Sequence, residues 1–372
     1  MPAGLRCVLA WLMLAPFAAD AGAPQVTLGL VAPPSEPDAV SLLRGAQLAV
    51  AEENGAGHAP VGLEVRSEDG QWGSAGNDAV ELVSNRHVEA IITPSDGAAS
   101  HLILQVSGRT RVPVASVCSD SSVTKTGVPW VVRVVPRTDQ EAEALLAAAQ
   151  QPGRPPAHWW AVVPAGQPGR AVRRDLEAAA RLTTARLTAA RLDRIVDGGE
   201  PKTDLASMVH PIVAAAPDGV LLWLPPSQAG TVAAELRAEG FGGRLAGPSP
   251  LDSPAFAAAA GAAANGVLVA EFRADAGLRA RADEFERRYR QKYDAMPDFS
   301  AAAAYDAARV LIETLRRAGD GAGYRQFPLG LPTAGVTGVL HFDGSGNRTD
   351  ALQVLAFRQG RFVPISPSEK KS

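Results

Sequence analysis

The sequence predicts an α/β protein built from two similar, doubly wound lobes, each a parallel sheet with helices on both faces. Three observations support this prediction. Short apolar runs alternate with helical patterns over residues 26–108, and the same alternation restarts at residue 159. Between these stretches, a strand pattern stops at Pro136 and a helical pattern follows at once. The break at Pro136 therefore marks a crossing from one lobe to the other.

The elements of the first half follow in a regular order. Strand patterns cover 26–31, 61–66, 88–93, 112–117 and 130–135, and helical patterns cover 38–53, 74–85 and a stretch after residue 100 that ends near Gly108. The helix after Pro136 begins with Thr138 or Asp139 as its N-cap and has Glu141 in its first turn, where acidic residues are favoured. This order of elements is typical of a parallel sheet.

The second half repeats the plan without repeating the sequence. Strand patterns cover 159–163, 187–196, 219–224, 266–271 and 339–342, with a terminal strand pair at 353–357 and 361–365, and helical patterns cover 170–182, 205–215, 228–239, 278–293 and 300–318. Two halves with one plan indicate two lobes of the same kind.

Composition and charge exclude several classes of function. At 372 residues the chain is long enough for two full domains, and its net charge of −3 comes without a basic stripe, so we expect no nucleic-acid partner. The six histidines form no H-x-x-H pair or Cys/His cluster, which argues against a metal site. The glycine-rich stretch 240–243 lacks the Lys-Ser/Thr of a phosphate loop, and we expect no cofactor.

The N-terminus has the pattern of a secretory signal peptide. Arg6 precedes the apolar run 7–17, and the small residues at 18–23 offer an A-x-A cleavage site. We expect residues 1–21 to be removed after Ala21; the alternative is cleavage after Ala23, which Pro24 disfavours. The alternative, a membrane anchor, requires a longer apolar run. Cys118 is then the only cysteine, which precludes an internal disulfide. We predict a periplasmic protein with a solvated tail at 366–372.

The loop at 118–124 is the first candidate for a binding site, since ligands of open α/β sheets bind at the carboxyl ends of the strands. Its serine hydroxyls at 119, 121 and 122 are natural ligand contacts. Asp120 and Asp96 end adjacent loops and either face one pocket, where they would hold a cationic or hydroxyl-bearing ligand, or cap helices. Cys118 is a reactive thiol or, in the simpler interpretation, a small buried filler.

Ordered blocks along the chain resemble the branched-chain amino-acid-binding protein family of ABC importers, which has the type I periplasmic binding fold. The set covers nearly the whole mature chain. The blocks are RGAQLAV (44–50) with EN (53–54), VPV (112–114), RVVPRTDQ (133–140), PDGVLLW (217–223), LRAEGF (236–241), YDAA (305–308), GVTG (335–338) with FD (342–343) and GN (346–347), and GRFVP (360–364).

The resemblance implies two lobes that close on a ligand about three hinge crossings, near 137–139, 270–272 and 336–341. It implies that lobe 1 comprises 22–138 plus 271–338 and that lobe 2 comprises 139–270 plus 339–365. The implied partners are a small molecule and an inner-membrane ABC permease, and we expect a monomer.

The resemblance also implies which residues face the ligand. The family's carboxylate-binding serine falls on Asp96 or Gly97, beside Ala98, and its next loop is here Cys118-Ser119-Asp120. The family has other residue types at three further positions: Asp38 replaces an aromatic residue, Pro168 replaces a tyrosine, and Ser249 stands near the acidic residue that pairs the α-amine. Trp72 either covers an apolar ligand or packs on the lobe surface.

These replacements predict a solute-binding protein for an ABC importer whose ligand is amino-acid-like, an amide or a carboxylate, and not a standard branched-chain amino acid. An alternative is a sensing protein that presents its solute to a membrane receptor. An exported hydrolase would need a catalytic pair such as Ser100 and His101, but neighbouring helical residues point to different faces. We therefore expect no enzyme activity.

Overall fold

The computed structural model describes residues 26–67, 74–149, 157–185, 190–198, 205–322 and 332–365. The predicted signal peptide, Trp72 and the predicted tail lie outside these residues. The strands are β1 (Val26–Val31), β2 (Val61–Arg66), β3 (Ala90–Ile92), β4 (Val114–Ser116), β5 (Val131–Arg133), β6 (His158–Val163), β7 (Arg191–Asp197), β8 (Gly219–Leu222), β9 (Arg244–Pro248), β10 (Leu268–Glu271), β11 (Thr333–Ala334), β12 (Val339–Leu340), β13 (Gln353–Arg358) and β14 (Arg361–Pro364). The helices are α1 (Ala39–Gly55), α2 (Ser74–Ser84), α3 (Gly97–Thr110), α4 (Thr138–Ala149), α5 (Gly166–Ala185), α6 (Leu205–Ala215), α7 (Pro226–Ala238), α8 (Pro254–Ala260), α9 (Arg279–Tyr293) and α10 (Phe299–Ala322).

The first sheet contains β1 to β5, all parallel, in the order β2-β1-β3-β4-β5. Its central strands are apolar because both faces are covered. Leu28 and Ile92 pack on one face with α1 and α10, whereas Ile91 and Val114 pack on the other face with α2 and α3. The two-residue periodicity of a strand thus divides one apolar run between two layers of core.

The second sheet has seven strands in the order β14-β13-β10-β9-β8-β6-β7. This sheet is mixed, because its parallel strands are extended by the predicted terminal pair, β13 and β14, which run antiparallel to their neighbours. The physical reason is the connection: a parallel neighbour needs a long crossover, whereas β13 and β14 are joined by two residues. Gln359 and Gly360 both have positive φ, at 50° and 86°, the conformation of a tight hairpin turn.

The chain passes between the two sheets three times. It leaves the first sheet after β5 and enters α4, whose Leu145 packs with Trp159 beneath the second sheet. It returns after β10 to α9 and α10, whose Phe285 and Tyr305 belong to the core of the first sheet. The third passage leads from β12 to β13. The predicted architecture of two lobes with three hinge crossings is confirmed.

One buried arginine of the third passage contacts the other two passages. The guanidinium of Arg348 donates to the carbonyl of Val134 at 3.2 Å and to the hydroxyl of Thr337 at 2.6 Å, and it lies 4.1 Å from the ring centroid of Phe272. Asp306 accepts from the backbone amides of Val336 and Thr337 beside it. These polar contacts fix the three hinge segments to one another.

Two helices of the first lobe approach closely at a glycine. A Cβ placed on Gly45 of α1 would lie 2.0 Å from the carbonyl oxygen of Ala301 in α10. This close approach brings the first turns of α1 and α10 side by side, and both contribute side chains to the site described next. No described helix combines the length and the apolar character needed to cross a bilayer.

Candidate functional site

A small cavity of about 40 Å³ lies between the two lobes. The loops after β3, β4, β5 and β9 reach it, together with the first turns of α1 and α10, so it lies at the carboxyl ends of strands from both sheets. The residues that line it, which we call the interlobe cavity, are Asp38, Leu42, Ser95, Val117, Ser119, Val135, Ser249, Pro250, Phe299, Ser300 and Ala303.

The lobe 1 wall of the interlobe cavity is organised around Asp38. Its carboxylate accepts hydrogen bonds from the hydroxyls of Ser95 and Ser300, each at 3.0 Å. The Ser95 hydroxyl also lies 3.0 Å from a carboxylate oxygen of Glu36. Burial and the neighbouring charge of Asp38 raise the pKa of Glu36 to about 7, and burial raises the pKa of Asp38 as well. Two carboxyl groups therefore share one serine hydroxyl.

The lobe 2 wall contains Ser249, which is tied to a buried carboxyl group. Both the backbone amide and the hydroxyl of Ser249 donate to Glu141 Oε1, at 2.8 and 2.5 Å. Burial raises the pKa of Glu141 to about 8 and also raises that of the nearby Glu271. The second oxygen of each of these carboxyl groups is buried and accepts no hydrogen bond from the described residues.

A further set of contacts joins the lobes beside the cavity. Asp120 accepts from the guanidinium of Arg174 at 2.6 Å. The backbone amide and hydroxyl of Ser121 donate to Asp175 at 2.9 and 2.7 Å. We call Asp120, Ser121, Arg174 and Asp175 the interlobe bridge. It connects the loop after β4 to the helix α5, and Asp175 is only 2% exposed.

The sequence matches the family model described as "Periplasmic binding protein" over residues 25–356. The chain belongs to the periplasmic binding protein family. The resemblance predicted from the ordered blocks is thereby confirmed, and the family is one of binding proteins, as expected for a chain that is not an enzyme. Comparison with curated protein sequences returns no match.

Solved structures of similar proteins share the fold of this periplasmic binding protein. The leucine-binding protein LivK of Thermotoga maritima has a TM-score of 0.78 at 19% identity, covering 92% of this chain and 99% of that one. LivJ of Streptococcus pneumoniae, solved with isoleucine, has a TM-score of 0.77 at 17% identity, covering 91% and 97%. A solute-binding protein of R. palustris, solved with benzoate, has a TM-score of 0.77 at 17% identity, covering 91% and 95%.

The structure distributes the predicted site residues of this periplasmic binding protein over three settings. Asp38, Ser119 and Ser249 line the interlobe cavity. Another group surrounds the first turn of α3 and the loop after β4 without lining the cavity, and its members are Asp96, Gly97, Ala98, Cys118 and Asp120. Pro168 is exposed in the first turn of α5. Trp72 lies outside the described residues, so its role stays a prediction.

The group around α3 has structural partners. Asp96 caps α3 by accepting from the amide of Ala99 at 2.7 Å, the alternative that the sequence left open. A Cβ on Gly97 would lie 3.0 Å from Asp120 Oδ2, which places the Asp120 carboxylate against the start of α3. Cys118 is buried, and burial raises the pKa of its thiol to about 12. It is a buried filler in the protonated form.

Sequence reasoning missed Ser95, Pro250, Phe299 and Ser300. Ser95 adjoins Asp96 and was within reach of the rule that ligands bind at strand ends. Phe299 and Ser300 begin an alanine-rich helix more than 250 positions after Asp38. They reach α1 only because the chain returns to the first lobe through the second hinge passage. No local sequence pattern predicts that contact.

Ser100 and His101 do not form a catalytic pair. The Ser100 hydroxyl is buried and donates to the carbonyl of Pro94 at 3.1 Å, whereas His101 Nε2 lies 2.8 Å from the hydroxyl of Ser122. No group of three or more potential metal ligands occurs among the described residues.

The raised pKa of Glu141 predicts that the stability of the protein depends on pH in the neutral range. Its pKa is about 8 in the folded protein against an ordinary value of 4.5, so between these values the folded chain keeps a proton that the unfolded chain releases. The resulting stabilisation is complete below pH 4.5 and is lost as the pH rises to about 8, at up to about 1.4 kcal/mol per pH unit. Urea unfolding of Glu141→Gln is expected to show a flatter pH dependence over this range than the wild type. The exposed Glu177→Gln is the control, and equal slopes in all three proteins would contradict the prediction.

Proposed function

We propose that the mature protein captures a small organic solute in the interlobe cavity and delivers it to an ABC permease. The observation that carries the proposal is the position of the cavity, where strand ends of both lobes meet beside three hinge passages. Residues of both lobes would then enclose the solute as the hinge closes, without any chemical step.

The ligand proposed from the sequence is amino-acid-like, an amide or a carboxylate, and differs from the standard branched-chain amino acids. The range of ligands among similar folds supports this breadth, since the proteins above were solved with isoleucine and with benzoate. A protein of R. palustris BisB5 was solved with 3,4-dihydroxybenzoic acid at 18% identity, a TM-score of 0.75 and coverage of 91% and 95%.

The site residues are proposed at two levels. Asp38, Ser119 and Ser249 would contact the solute directly, because they line the interlobe cavity. The surrounding group of Asp96, Gly97, Ala98, Cys118 and Asp120 would shape the walls when the lobes move, and Pro168 and Trp72 would act at the rim. We further propose a monomer with the lobe boundaries given above, exported to the periplasm by cleavage after Ala21.

A thermal-shift screen of the mature protein tests this function. The panel holds amino acids, amides, aromatic and aliphatic carboxylates, and polyamines, and a ligand at about 100 times its dissociation constant adds about 2.7 kcal/mol of stability. Ser119→Trp, which fills the cavity, should abolish the shift, whereas Ser227→Trp on the exposed face of α7 should retain it. A panel without a response, or a shift that persists in Ser119→Trp, would contradict the proposal.

The interlobe bridge supports closure, and its removal should favour the open form. In Asp175→Ala, the buried amide of Ser121 loses its acceptor, and an unsatisfied buried group costs about 1–3 kcal/mol. We expect small-angle scattering to show a larger radius of gyration and ligand affinity to fall at least several-fold. Asp197→Ala, which loses an exposed pair with Arg173 within lobe 2, is the control. Unchanged scattering and affinity in Asp175→Ala would show that the bridge does not hold the lobes.

A further inference from the structure

Most serine hydroxyls at the interlobe cavity already donate their proton to a carboxyl group of the protein. A serine hydroxyl has one proton to donate and two lone pairs to accept with. The Ser249 hydroxyl donates to Glu141, the Ser300 hydroxyl donates to Asp38, and the Ser95 hydroxyl donates to Asp38 or Glu36. These three hydroxyls therefore offer a ligand lone pairs only, so they can accept hydrogen bonds and cannot donate them.

Ser119 differs from the other three hydroxyls. Its oxygen accepts from the hydroxyl of Thr138 at 3.2 Å, which leaves its own proton available. Two backbone amides at the cavity are already committed, since Ser249 donates to Glu141 and Phe299 donates to the carbonyl of Asp252. The hydroxyl lining thus presents three acceptors and one donor.

The charged side chains at the cavity also favour a positively charged ligand. The described residues that line it include one carboxylate, Asp38, and no lysine, arginine or histidine. Glu36 stands directly behind Asp38, joined to it through Ser95. The nearby cation Arg174 is paired with Asp120 and Asp175. The cavity therefore attracts positive charge.

The helix terminus beside the cavity is closed to an anionic ligand. The first turn of a helix is a natural anion site, because its amides point outward and the helix dipole adds positive potential. At α3, however, the carboxylate of Asp120 lies against Gly97, and Asp96 takes the amide of Ala99. The protein's own carboxylates thus occupy the approach that a ligand carboxylate would use.

We propose that the interlobe cavity selects a solute that carries an ammonium group and no carboxylate, with Asp38 as the counter-ion and Ser95, Ser249 and Ser300 as acceptors. The inference rests on the proposed function and narrows its ligand class to amines and amino-acid amides. The free proton of Ser119 suits one neutral acceptor, such as a carbonyl or hydroxyl oxygen. Leu42, Val117 and Phe299 would contact an apolar body.

Matched compounds test this inference by calorimetric titration of the mature protein. Each set keeps one skeleton, which is ethyl, isobutyl or benzyl. Its members carry an amine, an alcohol or a carboxylate on that skeleton. Leucinamide and leucine form a further pair that differs only in the free carboxylate. We expect measurable binding for the amines and for leucinamide, and binding at least tenfold weaker for the corresponding carboxylates and for leucine.

Asp38→Asn keeps the acceptor for Ser300 but removes the charge, and it should weaken amine binding at least tenfold. Asp78→Asn, a buried carboxyl of α2 paired with Arg66 away from the cavity, is the control for folding and should leave binding unchanged. Carboxylates or alcohols that bind as tightly as amines would overturn the inference while leaving the proposed function in place. Binding of no compound from any set would count against both, and equal amine affinity in Asp38→Asn would overturn the counter-ion role.

Discussion

Arg348→Ala is expected to lower the free energy of unfolding by about 3–5 kcal/mol, the cost of removing one partner from a buried, hydrogen-bonded charge group. Arg348 is 3% exposed, belongs to the third hinge passage between β12 and β13, and contacts the first passage at Val134 and the second at Phe272. Its removal takes the ion-pair partner from Asp350, takes a nearby positive charge from the buried carboxyl of Asp306, and opens a void between three chain segments.

Urea unfolding of purified variants measures this loss. Arg348→Lys retains the charge but not the planar fork, so it should fall between the wild type and Arg348→Ala. Arg361→Ala, at an exposed position in β14, should change stability by no more than about 0.5 kcal/mol. If Arg348→Ala lost less than about 1 kcal/mol, the hinge passages would have to be held by their backbone and apolar contacts alone.

Gly45→Ala is expected to destabilise the protein by about 3 kcal/mol, at the upper end of overpacking effects. A methyl group here would lie 2.0 Å from the carbonyl oxygen of Ala301, and this neighbour is backbone that no rotamer change can move. The helices α1 and α10 would have to separate, which would also displace Asp38 from Ser300. Ligand affinity should fall together with stability.

The same helix provides the control for this prediction. Gly55, at the end of α1, has open space where a Cβ would be placed. Gly55→Ala should therefore leave stability unchanged or raise it slightly, by up to about 1 kcal/mol, because alanine restricts the unfolded chain. Thermal and urea unfolding of the two variants in parallel separates a clash between helices from a general intolerance of glycine replacement in α1.

Local patterns were sufficient for the architecture but not for every helix. The apolar runs identified most strands because parallel strands covered on both faces are continuously apolar. Strands β13 and β14 were identified as a terminal pair, and they run antiparallel to each other because only Gln359 and Gly360 join them. Helix α8 went unrecognised because its short, alanine-rich sequence has no distinct apolar face.

The site could be predicted where it follows from strand ends or from the family resemblance. Ser119 comes after β4, so the rule for open α/β sheets identifies it, whereas Asp38 and Ser249 were predicted from the resemblance. The positions of two other residues depend on how distant segments meet. Ser300 reaches the cavity because the chain returns to α1, and Arg174 reaches Asp120 because α5 approaches the loop after β4. Such contacts between lobes leave no periodic trace in a sequence.

The loop after β4 has a dual role because Ser119 lines the interlobe cavity while Asp120 and Ser121, its immediate successors, bind α5. If the solute binds as proposed, these three consecutive residues link occupancy of the cavity to closure of the lobes, and such coupling is thermodynamically reciprocal. Changes at Arg174 or Asp175 would tune how tightly every solute is held, whereas changes at Asp38 would alter which solute is held. Affinity and selectivity can then evolve separately in this protein.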